Sequence, residues 1–346
     1  MKKLRVGIVG SSFGGLVHAP SFTAQGSFEV VALASPTRAD EVAKARKIPH
    51  AFASLDAMLA GVELDVLSIA SPPFAHREQV LAGLARGLHI LCEKPFAMNV
   101  AQAREMLDAS ARAGTVCALA HEFRYTPSRM AIRELIANDH LGALRAMEVA
   151  WYGSILRAEV ERPNSWWFRR ERGGGLTGAI LAHLVDTATW LAGRPPVRAT
   201  GYERTANANR MADGVAFTSD VADGAFATID YGDGLIATVT ADATRAIASS
   251  TLAVHGATRT AVASGPDLLD VTTFIVDDEE TSELELKPQA HNHLRAAHPN
   301  IPPFVTLLDA FADAIAGKPA DLPTFADGLA TQRVLAAVGY EVASST

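Results

Sequence analysis

The stretch LRVGIVGSSFGG, residues 4–15, decides how the chain begins to fold. Residues 4–9 form a short apolar run without polar alternation, the pattern of a strand covered on both faces. The run passes directly into Gly10-Ser11-Ser12-Phe13-Gly14-Gly15 and then into a helical pattern over 15–25. A glycine turn between strand and helix is the phosphate-cradling arrangement G-x-G-x-x-G/A. Its first glycine makes the tight turn, its second lets backbone approach a pyrophosphate, and its third lets helix and strand pack closely. Gly10 and Gly15 fill the first and third positions. Ser12 stands at the second, where a Cβ crowds a diphosphate slightly and a hydroxyl offers a donor. Ser11 and Phe13 complete the turn. The competing reading is a glycine-rich βα turn that holds no ligand.

Outward from this turn, apolar runs at 28–34, 64–70, 88–92 and 115–120 alternate with helical patterns at 37–47, 54–60, 75–87 and 100–114. Repeated β-α-β units of this length predict a doubly wound parallel sheet with its ligand crevice at the carboxyl ends of the strands. From about residue 122 the texture changes. A helix over 127–138 is followed by strand-like stretches at 144–153, 197–205, 224–232, 235–242, 251–256 and 271–276, interrupted by one helix at 175–192. Asp233-Gly234 inside YGDGLIA is a hairpin signal. These features predict an α+β domain with an open, mostly antiparallel sheet, closed by helices at 303–317 and 327–343. The expected division is 1–122 for nucleotide binding and 123–346 for substrate binding and self-association.

A length of 346 residues agrees with about two domains. With 49% hydrophobic and 20% charged residues the profile is that of a soluble globular protein. The net charge of −7 speaks against nucleic acid or an acidic membrane as partner. Cys92 and Cys117 lie inside apolar runs and read as reduced thiols of a cytoplasmic protein. No apolar run reaches the roughly 18 residues of a membrane span, and MKKLRVGIVG reads as a strand rather than a signal peptide. His291, His293 and His298 sit in an irregular stretch without spaced carboxylates or cysteines, so no metal is expected there.

A coenzyme ribose is usually read by an acidic residue ending the second strand. Here that strand ends Ala34-Ser35-Pro36-Thr37-Arg38, without a carboxylate. Ser35, Thr37 and Arg38 offer donors and a positive charge, which favours NADP over NAD. The alternative reading makes Thr37 a helix cap and Arg38 a solvated first-turn residue.

Larger segments carry a resemblance: 6–20, 70–103, 122–127 (EFRYTP), 166–193 and 322–337. Together with Glu93-Lys94-Pro95 after the fourth strand, and Ser71-Pro72-Pro73 upstream, they resemble the Gfo/Idh/MocA oxidoreductase family. The resemblance implies a Rossmann domain followed by an open-sheet domain, NAD or NADP as coenzyme, and sugar, polyol or related cyclic substrates. It also implies a homodimer or homotetramer formed through the C-terminal sheet. Hydride leaves a carbinol carbon while the hydroxyl proton goes to a base and a cation steadies the alkoxide. The resemblance gives Lys94 this cation or relay role and sets Glu93 at the nicotinamide ribose; the Lys94–Pro95 bond is a candidate for cis. Ser71, Pro72 and Pro73 suit a wall of the coenzyme slot. His76 and His18 are each read as either coenzyme neighbours or structural residues.

The family pattern G-G-G-x-L-x-D-x-G-x-H-x-x-D is met over 173–186 at His183 and Asp186. The position four before His183, on the same helix face, is Ala179, so the first carboxylate is missing. His183 is then expected to act as base with Lys94 alone, and Asp186 to be structural. Trp166 and Trp167 are either sugar-stacking platforms or core. Arg124 and Tyr125, after the fifth strand, are expected on the substrate side. Two other functions stay open: transient oxidation and elimination with retained coenzyme, and nucleotide sensing without catalysis.

Overall fold

Strands that are apolar on both faces must be covered on both faces. The computed structural model, which describes residues 2–278 and 280–342, places them so. In chain order the elements begin β1 (Leu4–Val9), α1 (Ala19–Gln25), β2 (Phe28–Ala34), α2 (Ala39–Arg46), β3 (His50–Phe52) and α3 (Leu55–Gly61). They continue β4 (Val66–Ile69), α4 (His76–Leu84), β5 (His89–Cys92), α5 (Val100–Ala113), β6 (Cys117–Leu119) and α6 (Pro127–Ala137). Next come β7 (Leu144–Tyr152), α7 (Ala182–Ala192), β8 (Arg198–Arg204), β9 (Asn209–Ala212), β10 (Val215–Thr218), β11 (Gly224–Asp230) and β12 (Ile236–Asp242). The chain closes with β13 (Ser249–Gly256), β14 (Thr260–Gly265), β15 (Thr272–Val276), β16 (Thr281–Glu283), α8 (Ile301–Ile315) and α9 (Phe325–Val338).

Two compact units result. The first takes residues up to 97, 101–125 and 289–329; the second takes 98–100, 126–288 and the chain from 330 on. A single cut after residue 122 misses the return of 289–329 to the first unit. Hydrogen bonding explains that return. Leu119 N–H donates to the Pro323 carbonyl, Ala118 bridges Thr324, and the Tyr125 hydroxyl donates to the Asp321 carbonyl at 2.7 Å. The free edge of β6 is thereby covered. α8 begins with prolines at its first turn and buries Phe304, Leu308 and Phe311, with Phe311 stacked 6.2 Å from Phe28.

The sheet of the first unit has the order β3-β2-β1-β4-β5-β6, every pair parallel. Its strand order reverses between β1 and β4, the place where doubly wound sheets bind ligands. Val6, Ile8, Leu33, Leu67, Ile69 and Ile90 are wholly buried. This is the Rossmann arrangement read from the sequence.

Among the described residues the large sheet of the second unit runs β16-β15-β14-β13-β7-β12-β11-β8, parallel only between β7 and β12. It is mostly antiparallel, as expected, and Asp233-Gly234 forms the turn between β11 and β12. One face buries Met147, Val149, Ala237, Val239 and Leu252, with α7 against β7 and β12. The other face exposes Tyr202 and Ile236, and Tyr202 stacks on Phe226 at 5.1 Å.

The structure departs from the expected elements at several points. β3, β14, β16 and the two-stranded ribbon β9–β10 were not anticipated. The helices expected to begin at 15 and 175 each open on a π-helical turn, Gly14–His18 and Thr177–Leu181. The last helix stops at Val338, not 343, and Tyr340 turns back to donate its hydroxyl to the Gly173 carbonyl at 2.8 Å; residue 343 lies outside the described residues. No helix among the described residues is long and apolar enough to cross a membrane.

Candidate active site

In the first unit the glycine turn leaves β1 at Gly10, whose φ is +106°. A Cβ there would meet the Ala70 carbonyl oxygen at 2.3 Å, so only glycine lets the turn pass this close to the end of β4. At Gly15 a Cβ would meet Val42 Cγ1 at 2.6 Å, which is the helix-packing role of the third motif glycine. Ser12 is exposed, and its carbonyl accepts from Gly15 and Leu16 N–H. Ser11 Oγ and Ser35 Oγ lie 3.0 Å apart, joining the turn to the tip of β2. Thr37 and Arg38 are exposed, and Arg38 makes two bonds to Glu41, at 2.9 and 2.7 Å.

Behind the turn the first helix carries His18, wholly buried. Its Nδ1 lies 2.7 Å from Ser68 Oγ and its Nε2 3.0 Å from Glu93 Oε1. The second Glu93 oxygen accepts the Lys94 backbone N–H at 3.2 Å. Burial alone would lift the Glu93 carboxyl. The His18 hydrogen bond and charge, with Lys94, outweigh it and hold the group below the usual glutamate value. The Lys94–Pro95 peptide is cis, and Lys94 itself is partly exposed. The Ser71 hydroxyl donates to Gln79, and Pro72 and Pro73 lead from β4 into α4. His76 is buried between the Ser71 carbonyl (2.9 Å) and the Pro95 carbonyl (3.1 Å). Burial lowers its pKa, and a neutral imidazole donates to only one of these carbonyls. It braces the lysine turn from behind.

Arg124 and Tyr125, expected on the substrate side, are buried, and their polar ends hold the returning segment: Arg124 lies 3.6 Å from Asp327, and Tyr125 bonds Asp321. Phe13 stands edge-on to His18 at 5.7 Å and to His298 at 6.0 Å. A histidine read as part of a polar loop is thus a neighbour of the glycine turn. Among the described residues no group of three His, Cys, Asp or Glu is arranged to hold a metal.

In the second unit Gly174 has no room for a side chain, because a Cβ would lie 2.1 Å from the Trp167 carbonyl oxygen. Gly175 N–H donates to that same carbonyl, so the two tryptophans and the glycine run are one folded turn. Trp166 is 40% exposed, whereas Trp167 packs edge-on against Phe168 and carries the Arg162 guanidinium 4.9 Å from its ring centre. His183 and Asp186 are buried on α7, where Thr187 Oγ1 donates to the His183 carbonyl.

Family models match both units. One, described as an oxidoreductase family with an NAD-binding Rossmann fold, covers residues 4–121; the other, the GFO/IDH/MocA C-terminal domain, covers 130–262. The chain belongs to the Gfo/Idh/MocA oxidoreductase family. It is 33% identical over 206 residues to a D-glucoside 3-dehydrogenase of Escherichia coli, covering 56% of each chain. It is 32% identical over 172 residues to a scyllo-inositol 2-dehydrogenase (NADP(+)) of Bacillus subtilis, covering 49% of this chain and 52% of that one. The chain spans about half the length of the curated relatives it matches. Its fold is that of a levoglucosan dehydrogenase solved with NADH and levoglucosan, with a TM-score of 0.83 at 20% identity over 97% of this chain and 96% of that one.

Within this Gfo/Idh/MocA chain, sequence reasoning passed over Glu122. It is buried immediately after β6, and Asn300 Nδ2 donates to its Oε1 at 2.8 Å. The available signal was a carboxylate set in the apolar run ALAHEF just past a strand. A group of that kind is seldom buried without a purpose.

Proposed function

We propose that the chain is an NAD(P)-dependent oxidoreductase that moves hydride between nicotinamide and a secondary alcohol or ketone of a sugar- or polyol-like substrate. The observation that carries this reading is the lysine turn: Glu93 is pinned by His18 on one oxygen and by the Lys94 N–H on the other, at the carboxyl end of β5. The residues present fit a dinucleotide. Gly10 leaves backbone room at the switch point, and Ser11, Ser12, Phe13, Gly15, Ser35, Ser71, Pro72 and Pro73 surround the strand tips. The bound coenzyme supplies the hydride donor or acceptor. Lys94 steadies negative charge on the substrate oxygen, and His183 shares the proton path with it. Glucoside and inositol dehydrogenases among the relatives support a sugar-like substrate.

NADP is the preferred coenzyme in this reading, because the β2 tip carries no carboxylate to repel a 2′-phosphate and Arg38 stands ready to exchange Glu41 for it. The second unit takes the substrate and self-association, the latter supported by the exposed sheet face bearing Tyr202, Phe226 and Ile236. Incubation with NADP and a panel of sugars and polyols, read by nicotinamide absorbance, tests the activity. Turnover lost in Lys94→Ala and His183→Ala while nucleotide binding survives supports the assignment. A protein that retains its coenzyme tightly and never changes its absorbance refutes net redox.

A further inference from the structure

β5 and β6 run side by side, and Ala120 N–H donates to the Cys92 carbonyl at 2.9 Å. The residues that follow each strand are therefore neighbours: Glu93 and Lys94 after one, Glu122 after the other. Glu122 opens a single 3-10 turn and is 1% exposed. Its Oε1 accepts from Asn300, just before α8, while its buried Oε2 has no hydrogen-bond partner among the described residues. The charged groups acting on it are Glu93 and Lys94 from the end of β5. Arg124, in its own turn, is directed to Asp327.

A buried carboxylate with one neutral hydrogen bond is costly, whereas the protonated acid is tolerated. Burial first, then the Glu93 charge, push the Glu122 carboxyl up to about 8, against the pull of Lys94, its own backbone and Asn300. Glu93 is held the other way by His18 and Lys94. Two carboxyls beside one ammonium are thus divided into one ionised and one protonated group, the division that separates acid from base roles.

We infer that Glu122 is a positioning residue for Lys94: its buried carboxyl, hydrogen-bonded to Asn300 through one oxygen, stands at the end of β6 beside the Glu93-Lys94 turn and sets how tightly the lysine is held there. This rests on the reading of Lys94 as the ammonium of the proton path. A second carboxylate would tighten the lysine's hold on its proton, so the neutral acid keeps that proton available to substrate oxygen.

The test reads Lys94 directly in the coenzyme-free, full-length protein. Lys94 is acylated with trace acetic anhydride and quantified by peptide mass spectrometry, from about pH 6 to about pH 10, in wild type and Glu122→Gln. At the acid end the two proteins label alike. Above about pH 9 the Gln variant labels about three- to tenfold faster, because its amide cannot acquire the charge that restrains the amine. Equal rates at every pH overturn the inference. Should the variant not fold, carboxyl-¹³C NMR of the unmodified protein decides: a glutamate titrating near 8 supports it, and a full set titrating below about 6 overturns it. Neither readout needs turnover, so a lack of dehydrogenase activity would sink the redox reading alone.

Discussion

The Nε2 atom of His18 lies 3.0 Å from Oε1 of Glu93, with both side chains buried, and this contact ties the helix after the glycine turn to the lysine turn. Removing the ring in His18→Ala leaves a buried carboxylate without its main partner. The expected loss is about 2–4 kcal/mol in urea unfolding. A variant within about 0.5 kcal/mol of wild type would show that the contact does not hold the turn.

Stability should depend on pH through Glu122 with a definite sign. Its folded pKa is raised, from 4.5 to about 8, so the folded protein keeps a proton that the unfolded chain gives up between those values. Stability therefore falls as pH rises through that window, by at most about 1.4 kcal/mol per unit, and Glu122→Gln removes this slope. Glu93 works oppositely. Its pKa is depressed, so its contribution is present above the ordinary glutamate value and is lost as pH falls through its folded one. Urea midpoints compared between wild type and the Gln variant at about pH 5 and about pH 8 check this. A constant difference would contradict the assignment.

Gly10→Ala should be damaging for two reasons, the positive φ and the 2.3 Å approach to the Ala70 carbonyl. We expect at least about 2 kcal/mol of lost stability and nucleotide binding too weak for calorimetry to detect. Wild-type nucleotide affinity in this variant would separate the glycine turn from the coenzyme.

The parallel strands were legible because burial on both faces leaves an unbroken apolar run, as in LHILC. β3 escaped notice because it is three residues at the sheet edge beginning with an exposed His50, and β16 because Thr281–Glu283 is wholly exposed and polar. The return of 289–329 to the first unit depends on pairing between Ala118 and Thr324, which no local pattern announces. The same limit hid the site's wiring. His18 and Glu93 are 75 positions apart, so their contact was invisible, while the tripeptide around Lys94 was plain. Glu122 was passed over in favour of its neighbours Arg124 and Tyr125, whose polar ends turn out to hold segment 321–327.

Coenzyme choice should turn on Arg38. Wild type is expected to bind NADP about tenfold more tightly than NAD, and Arg38→Ala to erase the difference, since the guanidinium is the charge available to a 2′-phosphate at the β2 tip. Glu41→Gln, which removes the charge and one of the two acceptors that now hold the guanidinium, should tighten NADP binding further. Isothermal titration decides it, and tighter binding of NAD by wild type would overturn the preference.

The most direct test is the nicotinamide absorbance of wild type and Lys94→Ala, each saturated with NADP and offered sugars and polyols. The expected result is turnover in wild type on at least one of them and a loss of about a thousandfold or more in the variant, with nucleotide affinity unchanged. A Lys94→Ala protein that oxidised the same substrate at the wild-type rate would contradict the assignment of this lysine to the reacting oxygen.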